Sequence, residues 1–411
     1  MKRPLEQRAL AIGCSFGIAV GALAALAGLA EGRDDGEAPG LEMAASIGRS
    51  LFFDSGLSRP IGQSCYNCHL PHSAFAGTGA VAEGAVSGRF GIRNVPTLMY
   101  AALIPSMALE ERYDDEGVES MVWEGGLFHD GRAQDQFEQV KEPFFASNEM
   151  NLRDEAELAA RLRSAGYGER IRRWIGEEAW QDDQRLSYFA YRALVEFLKE
   201  PVFRPFDARI DDFLAGDHEA LDEAERRGLE VFRGAGKCAD CHLLEAASWQ
   251  EPLLSDYGYD NVGAPSRGEK DPGLGGHTNR PEELGLFRAP TLRNVALTAP
   301  YMHNGSIATL KEVMEFYNRR DLEPDRWGPT DYPQTVNRTD MGDLRLTDQQ
   351  VEDLTALMDS FTDRSLTRLA PGQVIPKTPE GTPSTASRRR YFPDWTYRLD
   401  PRFPGEPEGG D

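Results

Sequence analysis

The sequence predicts a mainly α-helical fold with few strands and long loops, organised as two segments of similar plan. Three observations carry that expectation. Several stretches of the 411-residue chain repeat apolar residues at helical spacing, while alternating, strand-like runs are few. The motif Cys-x-x-Cys-His occurs twice, as Cys65-Tyr66-Asn67-Cys68-His69 and as Cys238-Ala239-Asp240-Cys241-His242. Each copy follows a short amphipathic stretch and precedes a Gly- and Pro-rich loop that leads to a Pro-Thr-Leu unit. A diverged internal duplication accounts for this plan.

Taken in order, the chain opens on an address. Lys2, Arg3 and Arg8 flank an uncharged run, Ala9 to Ala30, rich in Ala, Leu, Gly and Ile. Residues 1–30 read as a secretory signal with small-residue cleavage options after Ala27 or Ala30. The run is also long enough to cross a bilayer as an uncleaved N-terminal anchor, its basic flank left in the cytoplasm. Cys14 follows Ala11-Ile12-Gly13, only a partial lipoprotein match, and reads as a small apolar residue of the export segment. Either way the rest of the chain is expected on the periplasmic side.

Leu41–Phe53 and Glu223–Gly234 read as the amphipathic helices that enter the two motifs. Glu155–Ser164, Tyr167–Trp174 and Gln184–Lys199 are helical by the same criterion. Ala308–Tyr317 places Leu310, Val313, Met314 and Tyr317 on one face, and Asp348–Phe361 starts behind a Thr347 cap. Phe206–Asp217 reads as the crossover between a first domain, 31–205, and a second, 206–365. Residues 366–411 are rich in Pro, Ser, Thr and Arg without periodicity and form a tail of uncertain order.

The cysteines carry the chemistry. Of five in the chain, the four beyond Cys14 all belong to the two motifs. Cys-x-x-Cys-His is the attachment signature of c-type haem: two thiols on one tight turn reach the two vinyl groups of a porphyrin, and the adjacent His lies under the iron. With five Cys and seven His, chance yields such a motif on the order of 0.001 times per chain. A thioredoxin-type pair would need a strand–motif–helix setting, a four-thiolate zinc site would not need a His after each pair, and two disulfides would leave both His residues unexplained. The expected cofactors are two covalently bound haems, held by Cys65, Cys68 and His69 and by Cys238, Cys241 and His242. A formal charge of −22 leaves no basic face for nucleic acid and favours a basic partner.

Residues 41–365 resemble the bacterial dihaem cytochrome c peroxidase and MauG superfamily. The resemblance rests on both haem motifs, Arg93-Asn94-Val95-Pro96-Thr97, Asp130-Gly131-Arg132-Ala133, Pro143 and Glu149-Met150. In the second half it rests on Pro290-Thr291-Leu292-Arg293-Asn294 and on Thr298-Ala299-Pro300-Tyr301-Met302-His303-Asn304-Gly305. It implies two cytochrome c-like haem domains with a calcium ion between them, bound by the Asn94 side chain and the carbonyls of Thr298 and Pro300. It also implies a peroxidatic first haem, with Gln139, Pro143 and Glu149 on its open face, and an electron-transfer second haem. Glu149 would act as the acid–base carboxyl and Gln139 as a hydrogen-bond donor to the peroxide. The sixth ligand of the second iron maps to Tyr317, with Met314 one turn earlier as the alternative. Partners follow: hydrogen peroxide, with electrons from a small cytochrome c or cupredoxin, or from an oxidisable protein substrate as in MauG. A non-enzymatic dihaem electron carrier is the reading from another class, and a homodimer is left open.

Two departures from the family pattern matter. Many dihaem peroxidases place a distal His in the loop after the first motif, but Ser73 to Arg93 contains none, and His72 is too near His69 to reach the opposite haem face. The first haem is therefore expected to keep an open position without reductive activation. His129 stands immediately before Asp130-Gly131-Arg132, where the family usually has Trp as an inter-haem relay. Imidazole is much harder to oxidise than indole. His303 is expected to be structural.

Overall fold

The computed structural model describes residues 37–113, 119–245 and 252–366. The expected export segment and, beyond Leu366, the expected tail lie outside the described residues. The chain divides into a unit Met1–Leu41, described only where the first helix begins, and a compact unit Glu42–Asp411. The helices are α1 Glu37–Phe53, α2 Cys65–Cys68, α3 Gln136–Phe145, α4 Glu155–Ser164, α5 Gly168–Gln181, α6 Asp183–Leu198, α7 Arg209–Leu214, α8 Glu223–Arg233, α9 Gly275–Thr278, α10 Leu310–Arg319, α11 Pro324–Trp327 and α12 Asp348–Asp359. The described strands form two antiparallel pairs, β1 Ala108–Tyr113 with β2 Glu119–Glu124 and β3 Tyr259–Asp260 with β4 Phe287–Arg288. The mainly helical fold with few short strands is the expected one.

Local chemistry starts most of these helices. Asp135, Asp154 and Asp182 each accept a backbone N–H in the first turn of α3, α4 and α6. Asp222–Glu225, Thr309–Glu312 and Thr347–Gln350 form capping boxes on α8, α10 and α12. The α5 helix runs to Gln181, past the expected Trp174, because the chain kinks at Gly176 (φ 82°) and resumes. The Phe206–Asp217 crossover contains α7. The β1–β2 hairpin has no counterpart in the sequence reading. Its Glu-Glu-Arg stretch carries no alternating pattern, and ion pairs hold it: Arg112 meets Glu124 at 2.6 Å and Asp256 at 2.9 Å.

Among the described residues two large apolar cores form, beside a small cluster of Ile307, Val313 and Phe316. The first gathers α1 through α6, with Phe52, Phe75, Phe144, Phe197 and Phe203 at its centre. The second gathers α7, α8, α10 and α12 around Phe232 and Phe361. In each, the helix entering the haem motif crosses the last helix of its segment at a glycine. A methyl on Gly48 of α1 would lie 1.9 Å from the Ala193 carbonyl of α6, and one on Gly228 of α8 would lie 2.2 Å from the Asp353 carbonyl of α12. The duplication seen in the motifs thus extends to how the helices pack.

A buried polar network joins the cores. The Tyr100 hydroxyl meets both carboxylate oxygens of Asp363 at 2.9 and 2.8 Å. Asn294 donates to the same carboxylate at 2.6 Å and receives the Asp363 backbone N–H at 2.8 Å. Arg293 and Asp211, both fully buried, pair at 2.7 Å. Removing one member would leave a charge buried and uncompensated.

Gly228→Ala is expected to cost about 1–3 kcal/mol through overpacking against α12, whereas Gly166→Ala, with nothing within 4 Å of the new methyl, should leave stability unchanged. Denaturant unfolding of the two variants beside the parent protein checks this.

Candidate functional site

Both Cys-x-x-Cys-His motifs close the same tight turn, the His69 backbone N–H on the Cys65 carbonyl and that of His242 on the Cys238 carbonyl, each at 2.9 Å. In the first motif the Asn67 side chain accepts from the Ser64 backbone N–H and hydroxyl, both at 2.8 Å, which winds the turn before the first thiol. In the second the turn is a single 3-10 turn, entered from Lys237 in the left-handed region.

The two imidazoles are oriented alike. His69 Nδ1 bonds the Phe75 carbonyl at 2.8 Å and His242 Nδ1 bonds the Leu254 carbonyl at 2.9 Å. A carbonyl only accepts, so Nδ1 carries the proton and Nε2 is the bare nitrogen in each ring. Burial holds both rings neutral, pushing His69 down to about 4 and His242 below its ordinary value. The same carbonyls take a second donor, the Leu98 and Leu292 backbone N–H at 3.2 and 3.3 Å. The threonines of the two Pro-Thr-Leu units complete the pattern. Thr97 Oγ1 donates to the Ala74 carbonyl at 2.5 Å and Thr291 Oγ1 to the Leu253 carbonyl at 2.6 Å, in each case the residue before the one that orients the His. Phe75 and Leu254 sit at φ 54° and 55°, uncommon for such residues and held only where surroundings enforce it.

The donor set fits covalent haem. Burial raises the Cys65, Cys238 and Cys241 thiols to about 12 and Cys68 to about 11, the opposite of a reactive thiolate pair. Each motif supplies two neutral thiols and one neutral imidazole oriented by backbone carbonyls. Around the second motif, Cys238, Cys241 and His242 line a largely apolar cavity shared with Phe232, Val313 and Met358.

Of the residues expected on the open face of the first motif, two sit on one helix and the third on the turn that follows it. Gln139 and Pro143 lie one turn apart on α3, hence on one face, and the Pro143 carbonyl accepts the Met150 N–H at 3.0 Å. That bond ties the turn bearing Glu149 to the helix end. The Glu149 carboxyl is close enough to act on both Cys65 and Cys68. Burial raises its pKa, Arg132 opposes the rise and Glu142 adds to it. From the other side, Ala85 of the loop after the first motif donates its N–H to the Glu149 carbonyl at 2.7 Å. This is the loop without His.

Tyr317 and Met314 both line the second cavity. Burial raises the Tyr317 hydroxyl above its ordinary value, and Cys238 and Cys241 act on it directly. Met314 is packed into the second core. Asn94, Thr298 and Pro300 line the same cavity, the Asn94 amide nitrogen donating to the Gly79 carbonyl at 3.0 Å. His129 lines it too, with Nε2 donating to the Asn94 carbonyl at 2.9 Å, and burial pushes its ring down to about 3. His303 stacks on Phe287 at 3.7 Å between ring centroids, and its backbone carbonyl accepts the Asn94 N–H.

Sequence reasoning found both Pro-Thr-Leu units without finding what their threonines do, and it passed over Tyr257 and Arg288. Thr97 and Thr291 could have been found from the repeat itself. Nothing in sequence marks Arg288, because its distinction is that Nε and Nη1 are buried without an acceptor among the described residues.

The chain matches the family model described as di-haem cytochrome c peroxidase over residues 42–219, and one described as RoxA-like, cytochrome c-like over 286–323. It is 32% identical to the methylamine utilization protein MauG of Paracoccus denitrificans over 359 residues, covering 79% of this chain and 90% of that protein. It is 30% identical to the cytochrome-c peroxidase IdrP2 of Denitromonas iodatirespirans, covering 77% of this chain and 84% of that protein. Among solved structures it superposes on the diheme peroxidase BthA of Burkholderia thailandensis with a TM-score of 0.70 at 31% identity, over 78% of this chain and 86% of that one.

Thr97→Val and Thr291→Val each delete one donor beneath an imidazole-orienting loop. Each is expected to cost about 1–2 kcal/mol of unfolding free energy and to broaden the absorption bands of its own haem only. Spectra and denaturant curves of the two purified variants check this.

Proposed function

This chain belongs to the di-haem cytochrome c peroxidase family, and on that premise we propose that it reduces hydrogen peroxide at the first haem with electrons passed through the second. The observation that carries this reading is the half-buried Glu149 carboxyl beside the two thiols of the first motif, its pKa raised by desolvation, in a site whose flanking loop supplies no His. Cys65, Cys68 and His69 would hold one haem, and Cys238, Cys241 and His242 the other. When bound, the haems supply redox-active iron, and the first supplies an open position where peroxide meets it.

The protein's share is proton handling and positioning. Cleaving the O–O bond requires a base for the proton on the near oxygen and an acid for the departing one, and the full reaction takes two electrons and two protons to two waters. Glu149 does both by returning the proton it has taken, and burial favours the protonated half of that cycle. Gln139 donates a side-chain N–H to the peroxide. Pro143 cannot donate a backbone N–H to the Gln139 carbonyl and narrows the face on which Gln139 stands.

On the second side Tyr317 is the proposed sixth ligand, supported by its place in the cavity and its field from Cys238 and Cys241. An oxygen ligand favours higher oxidation states of iron, so this residue also supports the second reading, a MauG-like enzyme that uses peroxide to oxidise a protein substrate. Asn94, Thr298 and Pro300 would hold a calcium ion through oxygen atoms and water, and the Asn94 amide nitrogen, turned to Gly79, leaves its oxygen for that role. The chain's −22 charge supports a basic electron donor, a small cytochrome c or cupredoxin. Lys2, Arg3 and the Ala9–Ala30 run support export to the periplasm; among the described residues no helix is long and apolar enough to cross a membrane.

The resting ferric protein is expected to show a high-spin EPR signal from the first haem; a bis-His low-spin signal there would refute the open site. Glu149→Gln should slow the reaction with peroxide by about 10²–10⁴-fold without moving either haem's resting spectrum. Tyr317→Phe should change the spectrum of the second haem, whereas Met314→Leu should not. Stopped-flow mixing with peroxide, with and without reduced cytochrome c, separates peroxidase turnover from an inert carrier.

A further inference from the structure

The second cavity holds buried hydrogen-bond donors for which the described residues supply no acceptor. Arg288, on β4, lines this cavity, and its Nε and Nη1 are buried with no partner among the described residues. Nη2 reaches only the Phe128 carbonyl, at 3.4 Å, the long limit of a hydrogen bond. The guanidinium lies 5.2 Å from the centre of the Tyr257 ring, and the Tyr257 hydroxyl, lining the same cavity, is also buried without a partner.

Among the described residues no carboxylate pairs with this cation, although Asp240, Asp260 and Asp340 line the same cavity. The groups that act on Arg288 are the hydroxyls of Tyr257 and Tyr259, and burial pulls its pKa below the ordinary value. Other arginines in this interior are treated differently. Arg93 meets Asp130 and Asp271, both at 2.7 Å, and Arg293 meets Asp211 at 2.7 Å. An unpaired guanidinium against an apolar cavity is unfavourable unless an anion occupies that cavity. A c-type haem brings two propionate carboxylates, and a carboxylate accepts the parallel N–H bonds of a guanidinium in matching geometry.

We propose that Arg288, assisted by the Tyr257 hydroxyl, is the receptor for a propionate carboxylate of the second haem and thereby helps to set that haem's reduction potential. The assignment rests on the second haem being bound at Cys238, Cys241 and His242, and it is independent of whether peroxide is reduced at the first. Arg288 is a positioning residue: its two free N–H groups fix one edge of the porphyrin while the cysteines fix the other. Its positive charge offsets the propionate, so that the iron centre does not carry the full burden of that negative charge when it is oxidised or reduced.

The test is a spectroelectrochemical titration of the second haem in the full-length holoprotein, for the parent, Arg288→Lys and Arg288→Gln. Arg288→Gln is expected to make reduction of that haem about tenfold or more less favourable, the scale of deleting one partner of a buried charge pair. Its potential should also become pH-dependent between roughly pH 5 and 8, because a propionate without its guanidinium takes up a proton. Arg288→Lys, which keeps the charge but not the fork, should fall between the two. A Gln variant that titrates like the parent at every pH overturns the assignment. If Arg288→Gln fails to retain the haem, the parent itself decides. A second-haem potential unmoved by exchanging chloride for a bulkier anion at constant ionic strength supports a built-in carboxylate, while a chloride-dependent potential means that Arg288 serves a free anion and overturns the proposal. Inertness toward peroxide would defeat the peroxidase reading and leave these potentials, and this inference, untouched.

Discussion

The Phe75 and Leu254 carbonyls each hold a motif histidine by Nδ1 and a backbone N–H from the Pro-Thr-Leu segment. That arrangement decides which imidazole nitrogen is bare, and therefore which way an iron can be bound. The carbonyls can point inward because Phe75 and Leu254 adopt positive φ, and the threonines beneath them hold the strained loops in place. Two helices then have to approach closely enough to enclose the motif, which Gly48 and Gly228 allow. Both halves repeat this arrangement of loop, threonine and glycine crossing.

Around this shared frame the halves diverge in what faces the motif. The first is overlooked by a carboxyl, Glu149, raised by burial and tethered from two sides, through Met150 to Pro143 and through its own carbonyl to Ala85. The second is overlooked by Tyr317 in an apolar cavity that also contains an unmatched guanidinium. A face with a raised carboxyl and a face with a buried phenol and an unmatched guanidinium differ in chemistry, and that asymmetry is what the proposed division between peroxide chemistry and electron transfer rests on. His129, in the lining of the second cavity, is neutral and engaged with the Asn94 carbonyl. The position before Asp130-Gly131-Arg132 therefore serves as a hydrogen-bonded strut rather than as an indole.

Much of this was legible in the residues. The haem motifs, the helices at α1, α4, α6, α8, α10 and α12, and the cap at Thr347 follow from spacing and from short-range hydrogen bonding, which sequence encodes directly; the Thr309 cap was found only in the structure. The hairpin β1–β2 was not legible, because its stability comes from Arg112 reaching Asp256 across a long stretch of chain. The helix α3 was missed as an element although Gln139 and Pro143 were singled out on it, since an internal proline argues against a helix when read alone.

By itself the sequence determined the cofactor class, the repeated plan and the candidate side chains, because covalent attachment and helix capping depend on residues a few positions apart. Tertiary structure alone decided that Glu149 acts on Cys65 and Cys68, that Tyr317 and Met314 share one cavity, and that Arg288 stands there without a carboxylate partner among the described residues. Those facts concern burial and the presence or lack of a neighbour in space. Such properties belong to the packed chain, where removal from water turns an ordinary carboxyl, phenol or guanidinium into a group with one specific use.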